Sequence, residues 1–148
     1  MIQLREINED NFRECVNLKV NDNQTNFVAT NVMSLAQAWL HYSIARPFAI
    51  YSDDVMVGFL MLDYSEAEKE CGIWRFMIDE KYQNRGFGKE AMRVILDYIK
   101  SNPVFESVNL SYEPENVVAD KLYRGFGFSP TGEIDYGEIV MKLQVDKS

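Results

Sequence analysis

Cysteine is scarce in this sequence. Cys15 and Cys71 are the only two in 148 residues. They are too few to staple a small domain and too far apart to form a metal-type pair, so no metal is expected and a reducing cytoplasm suits the chain. Long apolar runs are missing as well. The stretch from Val55 to Leu62 contains a glycine and stops far short of the roughly 20 residues a membrane span requires. The opening residues, Met1-Ile2-Gln3-Leu4-Arg5-Glu6, carry neither the basic start nor the apolar core of a signal peptide. Positive charge is in deficit, with 15 Lys and Arg against 23 Asp and Glu and a formal net charge of −8. That balance disfavours nucleic acid as a partner and is compatible with a small cationic substrate. Repeats, low-complexity tracts and interdomain linkers are absent.

What is present is ordinary globular composition. Hydrophobic residues make up 47% and charged residues 26%, which together with the length predicts one compact domain over residues 1–148 with a single substantial core. Ile2 to Ile7 alternates as a first strand. A helix is expected from about Phe12 to Val20, burying Phe12, Cys15 and Val16. The polar run from Asn21 to Asn26 reads as a loop. Ser34 is a plausible N-cap for a helix through about Ser43, with Leu35, Ala38, Trp39 and Tyr42 on one face. Pro47 to Tyr51 and Val55 to Tyr64 form a hairpin about Asp53-Asp54. A charged connector, Ser65 to Glu70, leads to a third long strand, Cys71 to Ile78.

The stretch Gln83-Asn84-Arg85-Gly86-Phe87-Gly88 follows that strand. It precedes a segment in which Met92, Ile95, Leu96 and Ile99 recur with the period of an amphipathic helix running to about Ser101. Strand, short glycine loop and helix together present unpaired backbone N–H groups and the positive end of a helix dipole, a natural seat for phosphate. Gly86 and Gly88 let the backbone approach an anion closely or adopt positive φ; either serves. Arg85 and Lys89 add positive charge, although a solvated basic face looks the same. The third glycine of a dinucleotide fingerprint is missing, because Glu90-Ala91 follow. The Gly-Lys-Ser/Thr phosphate loop is missing too, because Glu90 follows Gly88-Lys89.

Beyond that helix, Ser107 to Tyr112 alternates as a strand, Asn116 caps a helix reaching about Gly125, and Gly127 to Ile134 pairs with Glu138 to Val145 about Asp135-Tyr136-Gly137. The predicted architecture is an α+β (α/β layered) domain, with about four helices packed on a mixed, mostly antiparallel central sheet of about seven strands.

The glycine stretch resembles the Gln/Arg-x-x-Gly-x-Gly signature of the GNAT superfamily of N-acetyltransferases. A second match comes from Asn116-Val117-Val118-Ala119-Asp120-Lys121-Leu122-Tyr123-Arg124-Gly125-Phe126-Gly127-Phe128. It is similar to that family's Asn-x-x-Ala-x-x-Leu-Tyr-x-x-x-Gly-Phe pattern at every named position. The resemblance implies the GNAT fold and an acetyl-coenzyme A-dependent transfer of acetyl to an amine. It implies that Phe76, Met77 and Ile78 present backbone groups to the pantetheine arm. The amides of Gln83, Asn84, Arg85, Gly86, Phe87, Gly88 and Lys89 would hold the pyrophosphate, and Asn116 would touch the cofactor as well as cap its helix. Tyr123 would protonate the departing thiolate. A phenol of pKa about 10 can donate to a thiolate whose conjugate acid lies near 8.5. The bland alternative for Tyr123 is packing beside Leu122 and Phe126.

An alkyl ammonium of pKa about 10.4 costs about 4–5 kcal/mol to deprotonate at pH 7, so the reaction needs a base or a lowered pKa. Many relatives in the superfamily carry a carboxylate on the strand before the glycine loop. Here Gly72, Trp74 and Arg75 occupy the corresponding slots, leaving Glu70 as the nearest acid and a second candidate catalytic group. Within the superfamily the segment Val20 to Val28, the sequence from Phe76 to Gln83 and the ending Gly132 to Glu138 look like bacterial polyamine and diamine acetyltransferases. A polyamine site needs scattered carboxylates and aromatic walls. Asp22, Glu133, Asp135 and Glu138 can supply the acids, and Phe27, Trp39, Tyr42 and Trp74 the walls. Solvated loop charges and core packing are the competing explanations for each residue singly. The other readings are an acetyltransferase for a protein N-terminus, an amino acid or an aminoglycoside, and a catalytically silent acyl-coenzyme A sensor. A homodimer is expected, with no interface identifiable.

Overall fold

The computed structural model describes residues 1–21 and 29–145. Its elements run β1 (Ile2–Glu6), α1 (Phe12–Asn17), α2 (Asn31–Leu40), β2 (Ala45–Ser52), β3 (Val55–Ser65), β4 (Glu70–Ile78), α3 (Phe87–Lys100), β5 (Ser107–Tyr112), α4 (Val117–Gly125), β6 (Ser129–Asp135) and β7 (Glu138–Gln144). The seven strands form one sheet in the order β1-β2-β3-β4-β5-β7-β6. The β4–β5 pair is parallel, joined across α3, and the other neighbouring pairs are antiparallel.

Helices cover the two faces of the sheet unequally. On one face, Met92, Ile95 and Ile99 of α3 sink onto Leu60, Leu62, Ile73 and Ile78, with Tyr123 and Phe128 completing that layer. These are three of the four periodic residues expected of α3, the fourth, Leu96, being half-buried against the same core; each of the three contributes roughly 1.5–3 kcal/mol by leaving water. On the other face α1 and α2 lie over Ala49, Phe59, Met61 and Met77, with Cys15 and Ala38 between. The side chains of β4 to β7 that point to this second face are largely polar. Glu70 and Trp74, Asn109 and Ser111, and Glu138 and Lys142 line a cavity there.

Two helix assignments need correction. The first helix ends at Asn17 rather than near Val20, and Phe12 is exposed rather than buried. The second begins three residues before Ser34: Thr30 is the cap, its hydroxyl accepting from the Met33 amide, and Asn31, Ser34 and Ala38 are the buried positions. Trp39 and Tyr42 are 76% and 75% exposed. Their ring centroids lie 6.1 Å apart on the surface. The aromatic pair lies off the buried stripe; Asn31 is the anchor, donating to the Cys15 carbonyl at 2.8 Å.

Local irregularities shape β4. Between the pairs Met61–Arg75 and Leu62–Ile73 the register shifts by one, which makes Trp74 a bulged residue. The ladder from β4 to β5 ends at Ile73–Leu110. The bulge bends β4 just where it parts from β5, as bulges do. Further along, Gly58 lets β3 pass close to β4: a Cβ there would sit 2.4 Å from the Met77 carbonyl oxygen. Gly58→Ala therefore pushes the end of β4 away from β3. We expect it to lower stability by about 1–3 kcal/mol, the range of overpacking changes, measured by denaturant unfolding.

Candidate active site

Two cavities lie along β4, near where its ladder to β5 ends. The first, of about 360 Å³, is lined by Phe76, Met77 and Ile78 at the end of β4, by Gln83, Asn84 and Gly88 of the glycine loop, by Asn116, Val118, Ala119, Leu122 and Tyr123 of α4, and by Val20 and Asn21. The second, of about 610 Å³, opens on the face that α1 and α2 leave uncovered. Consecutive residues of β4 pass from one to the other: Trp74 and Arg75 line the second, Phe76 to Ile78 the first.

The glycine loop is anchored at its start by Asp79 and Gln83. Asp79, 2% exposed, accepts from the Lys19 and Lys81 amides, each at 3.0 Å. Its own amide donates to the carbonyl of Val57 at 2.8 Å. The Gln83 side chain donates to the Ile78 carbonyl at 2.9 Å and accepts from Asn21 at 2.7 Å. Asn84 and Gly86 take φ of +63° and +83°. Gly86 thus uses the conformational freedom of glycine, whereas Gly88 lies inside the first turn of α3, two residues earlier in the helix than the sequence suggested. A Cβ at Gly86 would meet nothing within 4 Å, and at Gly88 only Ile78, at 3.9 Å. The amides from Arg85 to Lys89 have no acceptor among the described residues; the first helical bond is Glu90 to Gly86. These amides, the helix dipole behind them and the open space over two glycines fit a pyrophosphate. The Arg85 guanidinium lies 5.8 Å over the Tyr82 ring, and the Lys89 side chain is free to approach an anion at the same helix end.

On α4 the Asn116 side chain caps the helix by accepting from the Ala119 amide at 3.2 Å, and it also lines the cavity. Tyr123 is 8% exposed, with its ring 5.8 Å from Tyr112 and 5.9 Å from Phe128. Packing and cavity lining coexist. The hydroxyl has no hydrogen-bond partner among the described residues. Burial, with Tyr112 beside it, pushes its pKa well above the ordinary phenol range, so at neutral pH it holds a proton to give and accepts none. Tyr112 in turn hydrogen-bonds Asp120, and Arg124 pairs with Asp120 at 3.1 Å, fixing α4 against β5.

The second cavity collects Asp63, Glu70, Glu133, Asp135 and Glu138 against the cations Arg75 and Lys142. Glu70 is tied down: it pairs with Lys142 and accepts from Asn109 at 3.2 Å. Glu138 accepts from the Ser111 hydroxyl at 2.7 Å. Glu133 sits in an irregular stretch of β6, where the register jumps between Pro130 and Ile134. Arg75 donates to the Trp74 carbonyl at the bulge and to Gln37 of α2, both at 2.9 Å. Burial lowers its pKa, while Glu138 pulls the other way. Trp74 stacks edge-on with His41 at 5.8 Å. Asp22 and Phe27 lie outside the described residues. The sequence reading missed Asp63 and Lys142. Asp63 had one usable signal, a carboxylate inside an otherwise apolar strand run; Lys142 had none.

The sequence matches the Acetyltransferase (GNAT) family over residues 2–128. It is 32% identical to a spermine/spermidine N(1)-acetyltransferase of Bacillus subtilis (strain 168), over 95% of this chain and 96% of that protein. The fold resembles a Vibrio cholerae spermidine N-acetyltransferase solved with CoA and spermine, with a TM-score of 0.79 and 20% identity over 99% of this chain and 96% of that one. It also resembles the Escherichia coli ribosomal-protein-S18-alanine N-acetyltransferase, with a TM-score of 0.74 and 16% identity over 100% and 96% of the two chains. One fold thus serves acceptors of different kinds.

The Asp79 clamp yields a direct check. Asp79→Ala leaves the Lys19 and Lys81 amides without their acceptor, at about 1–3 kcal/mol for each donor left buried. The expected result is a lowered unfolding midpoint together with faster hydrogen exchange in residues 80–88.

Proposed function

This chain belongs to the Acetyltransferase (GNAT) family and draws its acetyl group from acetyl-coenzyme A, and on that premise we propose that its acceptor is a primary amine of a polyamine such as spermidine or spermine. The observation that carries the reading is the pairing of cavities across the β4–β5 splay: bare amides and apolar walls on one side, carboxylates and Trp74 on the other. A chain of separated ammonium groups and methylene spacers matches the second surface, where Glu70, Glu133, Asp135 and Glu138 supply charge and Trp74 an apolar wall. The Bacillus relative, a spermine/spermidine N(1)-acetyltransferase, supports the same class. We assign Asp22 and Phe27 to the same acceptor surface on sequence grounds.

In this reading the amides from Gln83 to Lys89 and the helix dipole hold the pyrophosphate. Phe76, Met77 and Ile78 guide the arm along β4, and Asn116 lines its path. Bound there, acetyl-coenzyme A supplies an activated acyl group as a thioester. Tyr123 hydrogen-bonds the sulfur and gives up its proton as the carbon–sulfur bond opens. The burial that makes Tyr123 a weaker acid also makes a thiolate beside it more basic, so the transfer stays favourable. Glu70, anchored by Lys142 and Asn109, supplies fixed negative charge at the cavity floor; relaying a proton through it requires loosening that ion pair. The enzyme acts as one domain, in the cytoplasm and as a homodimer.

Free thiol release measured in parallel with spermidine, spermine, putrescine, lysine and a short peptide tests the acceptor. Spermidine or spermine should give the highest kcat/KM; preference for the peptide would overturn the reading, and acetyl-coenzyme A binding without turnover would point to a sensor. Tyr123→Phe keeps the ring and removes the donor. It should lower kcat by about 10²–10⁴-fold, the span of general acid catalysis, with the Kd for acetyl-coenzyme A little changed by calorimetry.

A further inference from the structure

The amine cavity contains a carboxylate that the roles assigned so far leave without a task. Of the five acids lining it, Glu70 and Glu138 have hydrogen-bond partners, and Glu133 and Asp135 stand on the exposed strand β6. Asp63 of β3 differs. It is half-buried, and among the described residues it has no hydrogen bond and no ion pair. Its strand partner is Gly72. A Cβ on Gly72 would lie 2.5 and 2.7 Å from the two Asp63 carboxylate oxygens. The carboxylate therefore occupies the space that a side chain of β4 would fill, two residues before the Trp74 bulge and on the same cavity wall.

We propose that Asp63 is the group that takes the proton from the acceptor ammonium, its carboxylate filling the place beside Gly72 where β4 carries no side chain. This rests on the reading that the acceptor amine enters through the second cavity. Asp63 accepts one proton from the ammonium, leaving a neutral nitrogen. The nitrogen lone pair forms the bond to the acetyl carbon, and the carbon–sulfur bond breaks with its electron pair on sulfur. The second nitrogen proton makes up the one Tyr123 gives to that sulfur, and Asp63 returns its proton to water. Amide, thiol and one released proton balance the reaction.

The surroundings favour a base at this position. Burial raises the Asp63 pKa above the ordinary aspartate range, in the direction of a useful base. The charged and titratable groups packed nearby are Glu70, Cys71 and Arg75 on β4, Arg46 on β2, Glu133 and Asp135 on β6, and Glu138 and Lys142 on β7. Arg46 is engaged over the Tyr64 ring at 4.6 Å. Lys142 is held by Glu70, and Arg75 by Trp74 and Gln37. None of these cations neutralises Asp63. The Cys71 thiol is itself pushed up to about 12, by burial first and Asp63 second. The fold pays for an unpaired carboxylate here and gains no contact from it.

The test compares the wild type with Asp63→Asn, which keeps the shape, using spermidine over a range of pH. The expected loss in kcat/KM at pH 7 is about 100-fold or more. The acidic bend of the wild-type profile should vanish, leaving a rate that rises with pH as free amine in solution takes over. Calorimetry should show acetyl-coenzyme A binding unchanged. Thermal unfolding supplies a second readout. A raised folded-state pKa means that stability falls as pH rises from the ordinary aspartate value through the raised one. Asn removes that loss, so the variant should melt higher than wild type at pH 8 and not at acid pH. A variant that keeps both the bend and activity within about 3-fold of wild type, where a lost base costs at least 100-fold, would overturn the role of Asp63 alone. So would a lower melting point at pH 8, which marks a structural residue. Wild type that binds acetyl-coenzyme A yet acetylates no amine would instead overturn the acceptor reading itself, and Asp63 with it.

Discussion

The site exists because β4 stops pairing with β5 after Ile73. The bulge at Trp74 bends the strand there, and the guanidinium of Arg75 hydrogen-bonds the Trp74 carbonyl. A parting of strands in mid-sheet exposes backbone groups to the space between them, and leaving such groups unmet in a buried place is costly. Here the freed part of β4 lines cavities instead: Trp74 and Arg75 line one, and Phe76 to Ile78, facing residues of α4, line the other.

Everything else positions chemistry along that part of β4. Asp79 and Gln83 brace the end of β4 and leave the loop amides unspent. The α3 stripe of Met92, Ile95 and Ile99 anchors the helix whose N-terminus those amides open. The Tyr112–Asp120–Arg124 network and the Asn116 cap fix α4, and with it the phenol of Tyr123. On the far face the period-two alternation of β5 and β7 sends Val108, Leu110 and Met141 into the core and Asn109, Ser111, Glu138 and Lys142 outward. The same alternation that builds the core therefore builds the polar cavity.

The parts of this arrangement written in local pattern could be read without coordinates. The β5 strand and the α3 stripe follow from hydrophobic period, and the loop and α4 from turn and cap chemistry. The last hairpin turns at Tyr136 and Gly137, with φ of +48° and +82°, close to where its turn residues place it. What was not readable depends on pairing across strands. The Trp74 bulge is a relation between β3 and β4, and Asp63 matters only because Gly72 lies opposite. Lys142 finds Glu70 from two strands away. The α2 face was misjudged because exposed aromatics mimic a core stripe, and only tertiary packing separates the two.

One structure would bear on all of this at once: a crystal structure of the enzyme with a conjugate in which coenzyme A is joined through an acetyl linker to spermidine. The pyrophosphate should lie on the amides from Gln83 to Lys89, the sulfur beside the Tyr123 hydroxyl, and the polyamine chain should pass the Trp74 bulge toward Asp63 and Glu138. A polyamine chain folded back over α3 and α4, with the acidic cavity untouched, would contradict the account.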